Sequence, residues 1–355
     1  MAKVDKAYLK ALLETPSVTG TEERVAALVR ERLADTADTI ETDVMGSVHA
    51  TLKGTSGAPS VMISAHMDEV GLMVKHIDDA GFLRVVAVGG VDAAVLPGMR
   101  VDVHTQAGVL RGVVGRKPIH LIESDERTKV TPLSSLFIDL GMPARRVKES
   151  VRVGDVIAYG VGFERYGKGM AVSRGFDDKA GVYIVTRVLE ELAAVGGAPG
   201  DYVACCSVQE EIGLRGGMTS AYGVNPDVAI AFDVTHATDY PSIDQNRYGE
   251  VVCGGGPVIA RGPNINPIVF ERLCQAAEDE GIKVQFEAEP GASGTDAQAM
   301  QVQRGGRASG LVSVPVRYMH TPTEVLKLSD LEATVSLLKR FVLNLDADVT
   351  FVPGM

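Results

Sequence analysis

Residues 59–65 read PSVMISA, and the next residue is His66. The run is nearly apolar on both alternations, so it reads as a strand central to a sheet covered on both faces. Just before it, residues 48–53 read as a second strand. Residues 5–36 read as two helices split by the breakers Pro16 and Gly20, with Thr21 capping the second ahead of Val25, Leu28, Val29 and Leu33. Further along, Val182, Val185, Leu189 and Leu192 recur at helical spacing over 178–194, and strand-like stretches follow at 201–209 and 227–233. Asn266 and Pro267 open a helix that Gly281 ends, and Ser329 with Glu332 makes a capping box for a last helix through Leu331, Val335 and Leu338. This alternation defines an α/β fold with a mixed central sheet flanked by helices.

Between about 71 and 165 the texture changes to short β-like runs punctuated by glycine: GFLRVVAVGG, MRVDVH, GVLRGVVG and VRVGDVIAYG. No helix of useful length is expected there. An all-β stretch inside an α/β chain reads as an inserted domain, here a small barrel-like one. The expected division is therefore 1–70 with 166–355 as the main domain and 71–165 as the insert.

The chain has 355 residues, beyond the roughly 100 to 200 of a single domain. Its 45% hydrophobic and 23% charged residues are the balance of a globular protein. A net charge of -11 disfavours nucleic acid and anionic membranes as partners. No apolar run reaches the roughly 18 residues of a membrane span, and the opening MAKVDKAYLKALLE is an amphipathic helix pattern, not a signal peptide, so a cytoplasmic location is expected. Cys205, Cys206, Cys253 and Cys274 show no CxxC spacing and are expected to be reduced packing residues.

Four residues of metal-ligand type share one placement. His66 follows PSVMISA, Glu211 follows DYVACCSVQ, Asp233 ends DVAIAF, and His320 follows GLVSVPVRYM. Ligands in open α/β sheets gather beyond the carboxyl ends of the strands, so these converge if the strands are parallel neighbours, with Asp177 joining from the turn before the 178–194 helix. Two histidines and three carboxylates suit a pair of divalent ions such as zinc or cobalt. Two such ions repel unless an anion bridges them, and Asp177 is the expected bridge. Asp68, two residues past His66, is placed to accept a hydrogen bond from its imidazole. Glu210, beside Glu211, is the expected general base toward a water shared by the two ions.

Each residue alone is weak: a histidine after a strand is more often a hydrogen-bonded structural residue, and EEIG or FDDKAG alone reads as loop acids or a helix start. The set of five at five separate strand or helix edges is what argues for a site. His49, His76 and His104 lie inside strand-like runs and read as structural, whereas His120 and His236 are candidates to reach the active site.

The segments SAHMDEVGLMV, GRKPIH, GFDDKAGV, QEEIGLRGG, AFDVTHATDYP, SGTDA and YMHTPTEV, in this order, resemble the tetrahedral-assembly (TET) aminopeptidases, metallopeptidase family forty-two. The resemblance implies a fold of the dinuclear zinc-peptidase type. It assigns His66 and Asp233 to one metal and Glu211 and His320 to the other, with Asp177 rather than Asp178 bridging, Glu210 as general base and Asp68 as orienting acid. It further implies hydrolysis of the N-terminal residue from peptides, subunit pairing through the β insert, and a tetrahedral dodecamer enclosing a chamber. Thr321 and Lys179 stand where Ser and Arg are frequent in the family. The residues give no support to the endoglucanase labels that some relatives carry. The alternatives are a dinuclear deacylase or carboxypeptidase-like amidohydrolase, which needs a cationic residue for a substrate carboxylate, and a non-catalytic binding scaffold. Neither the preferred first residue nor the metal is readable from sequence.

Overall fold

The computed structural model describes residues 4–125 and 127–355. Helices α1 (Lys6–Glu14) and α2 (Glu23–Leu33) precede strands β1 (Thr39–Thr42), β2 (Val48–Leu52) and β3 (Val61–His66). Next come β4 (Gly71–Ile77), β5 (Leu83–Val88), β6 (Arg100–Thr105), β7 (Gly108–Gly115), β8 (Phe137–Asp139), a short helix α3 (Ala144–Ser150) and β9 (Val156–Tyr159). The chain returns through β10 (Glu164–Tyr166) and β11 (Met170–Ser173) to α4 (Phe176–Ala194), β12 (Tyr202–Ser207), α5 (Arg215–Val224), β13 (Val228–His236), α6 (Gln245–Tyr248) and β14 (Val258–Arg261). It closes with α7 (Pro267–Glu280), β15 (Gln285–Ala288), α8 (Asp296–Gln301), β16 (Ala308–Val316), β17 (Glu324–Lys327) and α9 (Leu328–Leu343).

The expected mixed sheet is present, in the order β1-β2-β12-β3-β13-β16-β14-β15. Its four central strands, β12, β3, β13 and β16, run parallel, while β2 pairs antiparallel with β12 and β14 antiparallel with β16. Every residue of β3, β12 and β16 is buried, as a sheet covered on both faces requires. On one face Val61 and Ile63 pack with Val182 and Val185 of α4; on the other, Met62, Ala229 and Ala231 pack with Ala221 of α5 and Met300 of α8. Among the described residues no helix is long and apolar enough to cross a membrane. All four cysteines are free, Cys205 and Cys206 buried within β12.

The helix at 267–280 starts and stops where expected: Asn266 Oδ1 accepts from Ile268 and Val269 N–H, and Gly281 ends it in the left-handed region at φ 61°. Two other caps differ. Thr21 does not cap α2; its hydroxyl donates to Val18 O, and the N-cap position falls on Glu22, whose carboxylate instead accepts from Gly20 and Gln209 N–H. The Ser329–Glu332 capping box is absent, because α9 begins at Leu328 and Glu332 is buried against Tyr183 Oη at 2.7 Å.

Strands β4 to β9 close a six-stranded barrel in the order β4-β5-β8-β7-β6-β9. Alternate residues such as Leu72 and Val74, Val101 and Val103, and Ile157 fill a separate core. The seven-residue helix α3, not expected from the glycine-punctuated sequence, plugs this core with Val147. β10 lies outside the barrel, in a small sheet with β11 and β17.

A buried ion cluster sits where the chain leaves for the barrel and comes back. Glu69, between β3 and β4, pairs with Arg174 and, at 2.9 Å, with Lys179, all three side chains at most 6% exposed. Both cations also donate to the carboxyl end of α1, Arg174 to Glu14 O and Lys179 to Thr15 O, where the helix dipole favours positive charge. Burial opposes the charge on Glu69, yet Arg174 and Lys179 hold its pKa down at about 2. Glu69→Gln leaves two buried cations without their anion and is expected to cost about 3–5 kcal/mol of stability in urea titration; a loss below about 1 kcal/mol would mean that the cluster is not what ties this junction.

Candidate metal centre

The four central parallel strands deliver the candidate residues to one rim. His66 ends β3, Asp233 lies within β13, the Glu210–Glu211 pair follows β12, and His320 follows β16. Asp177 enters from the start of α4, where it and Asp178 have non-helical dihedrals and precede the regular turns. His320 adopts the left-handed region at φ 59°, a conformation that costs a non-glycine residue roughly 1–3 kcal/mol unless its surroundings enforce it. Two contacts enforce it here. Its N–H donates to Glu324 Oε1 at 3.0 Å, and its Nδ1 meets Gly90 O at 3.1 Å.

The Asp177 carboxylate lies between the two imidazoles, with Oδ1 3.2 Å from His66 Nε2 and Oδ2 3.1 Å from His320 Nε2. Glu211 Oε1 is 3.4 Å from His320 Nε2, and Asp233 Oδ1 and Glu210 Oε2 are each 3.9 Å from His66 Nε2. Ligand-type atoms of His66, Asp177 and Glu211 fall within 4.8 Å of one another, as do those of His66, Asp178 and Asp233. Asp178 is nonetheless engaged elsewhere: its two oxygens accept from the N–H groups of His66 and Gly181. Asp177 is the one that faces both histidines.

Asp68 meets His66 through its main chain and its side chain. His66 Nδ1 meets the Asp68 backbone oxygen at 3.0 Å, and the side-chain carboxylate stands 3.5 Å away. That carboxylate also accepts from Glu210 N–H at 3.0 Å, Glu211 N–H at 3.2 Å and Thr19 Oγ1 at 2.9 Å, so it fixes the turn that carries the glutamate pair. Since a carbonyl only accepts, His66 and His320 both donate from Nδ1 and leave Nε2 facing the acids.

Three contributors were not foreseen. Glu324, buried in HTPTEV, accepts from Asp177 N–H at 3.1 Å as well as from His320 N–H. Asp178 anchors His66. Gly90, from the barrel, orients His320, and a Cβ there would come within 2.8 Å of its Nδ1. Of the other histidines, His236 lines the cavity above the site, His120 lies in an exposed turn away from it, and His49 bonds Ser220 Oγ at 2.9 Å. His76 and His104 sit in barrel strands.

Charge is the dominant feature of this site. Burial disfavours the charge on His66, but Asp177 and Asp68 beside it raise its pKa well above the usual value. His320 is drawn up to about 9, first by Asp177. Burial would raise Asp177, but the two imidazoles hold it well below the carboxylate range. Burial pushes Glu210 up to about 10 and Glu211 to about 7, and both burial and Asp177 raise Asp233. The nearby Arg174 and Lys179 are committed to Glu69. Glu211 Oε1 is buried without a hydrogen-bond partner. Crowded carboxylates, two oriented imidazole nitrogens and an orphaned oxygen fit divalent cations.

The fold and this site define a hydrolase, an aminopeptidase. The pattern of the M42 glutamyl aminopeptidase family matches residues 46–337, and the chain belongs to that family. It is 36% identical to the lysyl aminopeptidase of Pyrococcus furiosus over 342 residues, 95% of this chain and 96% of that one. The TET aminopeptidase from the archaeon Thaumarchaeota archaeon SCGC AB-539-E09 superposes with a TM-score of 0.91 at 31% identity, covering 96% of each chain. The TET1 peptidase of Pyrococcus horikoshii, described as assembling into a tetrahedron or a large octahedral shell, gives 0.84 at 32% identity over 96% of this chain and 99% of that one.

Glu324→Gln offers one acceptor oxygen to two N–H groups, so Asp177 and His320 lose their common anchor. Affinity for zinc, read by competition with a chromogenic chelator, is expected to fall on the order of 10- to 100-fold while the circular dichroism spectrum is kept. Unchanged affinity would show that the two residues hold their places without Glu324.

Proposed function

We propose that the chain is a dinuclear metal aminopeptidase, with zinc or cobalt held by His66 and Asp233 on one side, Glu211 and His320 on the other, and Asp177 shared. The observation that carries this reading is the Asp177 carboxylate spanning the two histidine Nε2 atoms at 3.2 and 3.1 Å. Bound there, two divalent ions supply Lewis acidity toward a peptide carbonyl and make water acidic enough to attack near neutral pH. The chain's own part is proton transfer and positioning. Glu210, beside His66 and 3.9 Å from its Nε2, is held by Asp68 through its backbone N–H. As the carboxylate it would accept the water proton and, once protonated, return it to the departing amine.

A cavity of about 1140 Å³ opens over the site. Its lining among the described residues includes Asp177, Glu210, Glu211 and Asp233 and contains no lysine or arginine. Apart from the proposed ions, such a lining offers a substrate carboxylate no cationic side chain, which favours removal of the N-terminal residue over the carboxypeptidase-like alternative. A cytoplasmic location is part of the same reading. Glu210→Gln is expected to keep fold and bound metal but to lower kcat by on the order of 10²- to 10⁴-fold on leucyl-p-nitroanilide. Near-normal turnover by a metal-loaded variant would falsify the general-base assignment.

The same reading includes assembly into a tetrahedral dodecamer through the barrel, as an insert spanning 71–165. Supporting it are the exposed apolar side chains Val109 and Val113 on β7 and Ile119 and Leu121 just beyond, on a unit that supplies none of the proposed ligands. Light scattering is expected to give a native mass of about twelve times the 37.6 kDa chain. A stable monomer with full activity on long peptides would exclude the chamber.

A further inference from the structure

The cavity has a second acidic wall, away from the proposed metal ligands. Glu287 of β15 and Glu289, just past its end, both line it and are both partly buried. Glu287 Oε2 accepts a hydrogen bond from Thr235 Oγ1 at 2.7 Å. Glu289 has its carboxyl pKa raised by burial and then by the neighbouring Glu287. No lysine or arginine lines the cavity among the described residues to balance either one.

Asp177, Glu211 and Asp233 face the proposed ions and Glu210 faces His66. Glu287 and Glu289 have no cationic side chain facing them among the residues that line the cavity. Their position is also informative. Thr235 follows Asp233 by two residues on β13, so both side chains leave the same face about 6–7 Å apart. The Glu287 carboxylate on Thr235 therefore stands one side-chain row beyond Asp233. A substrate whose first carbonyl sits at the metal centre would reach that row only with a long side chain. Val302 and Leu311 in the same cavity offer apolar surface to its methylene stem.

We infer that Glu287 and Glu289 form the pocket for the first side chain of the substrate, and that this enzyme selects peptides beginning with lysine or arginine and rejects those beginning with an acidic residue. This inference rests on the metal-centred aminopeptidase reading above. The two glutamates determine specificity and take no part in bond cleavage.

The test uses the metal-loaded enzyme and the p-nitroanilides of lysine, arginine, leucine and glutamate. Wild type is expected to cleave the lysyl and arginyl substrates with kcat/KM at least about 10-fold above leucyl, and glutamyl on the order of 10²-fold below leucyl. Glu287→Gln keeps an acceptor for Thr235, and with Glu289→Gln it should each lower the lysyl-to-leucyl ratio about 10-fold, through KM rather than kcat. A binding measurement freed from turnover compares lysinamide with norleucinamide, its neutral analogue, by calorimetry on the metal-loaded Glu210→Gln variant. Lysinamide should bind more tightly, and its advantage should shrink with added salt. Preference for leucyl or glutamyl substrate in wild type, or a lysyl-to-leucyl ratio indifferent to both substitutions, overturns the pocket. Loss of all four activities in metal-loaded wild type would instead sink the metal-centred reading; the lysinamide comparison then still decides on the pocket, equal binding of the two amides overturning it.

Discussion

The constraint on which the rest of the structure depends is the crowding of ionisable carboxylates beyond the ends of four parallel strands. Like charges at this density push a site apart unless something fixed holds each member. Here the holding is done by a ring of acids that themselves grip backbone. Asp178 takes the N–H of His66, Glu324 those of Asp177 and His320, and Asp68 those of Glu210 and Glu211. Asp233 pairs with Ser313 of β16, and its Oδ1 accepts from Val234 N–H. The residues facing the cavity thus have their main chain fixed, and apart from Asp233 their side chains are aimed without spending their own oxygens or Nε2 on structure.

That arrangement also explains why the site lies at the seam between two cores. The sheet supplies four of the approach routes, but its edge toward the barrel would leave His320 and Glu211 unsupported. Gly89 and Gly90, just past β5, close in there; a Cβ on Gly89 would stand 3.3 Å from Glu211 Oε2. The Glu69, Arg174 and Lys179 cluster ties the β3–β4 connection to the start of α4 and to the end of α1.

Much of the fold was legible in the sequence because strands buried on both faces appear as unbroken apolar runs, such as PSVMISA and DVAIAF, and because helices such as 267–280 carry local caps. What misled were residues whose partners are distant. Glu22 and Glu332 sit where capping side chains would, yet bond Gln209 N–H and Tyr183 Oη. The seven residues expected at the site do gather there, since histidine and acids after parallel strands are visible one by one. The anchoring roles of Glu324, Asp178 and Gly90 are not legible in the sequence, because they act on backbone atoms or through backbone atoms across 147, 112 and 230 residues, and no local spacing records such contacts. Asp68 stands beside His66 with its carboxylate 3.5 Å from Nδ1, and the nearer acceptor, its main-chain oxygen at 3.0 Å, is one that no side-chain pattern records.

The close approach of Gly90 to the His320 ring limits how this protein can change over time. Any other residue at that position would drive a methyl group into an imidazole held on its far side by Asp177. The outer strands of the barrel are free to acquire new contact surfaces, and with them new neighbours, while its inner edge is confined to glycine. The inserted unit can therefore diversify in what it meets outside without being exchanged wholesale for another fold, because a replacement would have to present a bare carbonyl at this one point in space.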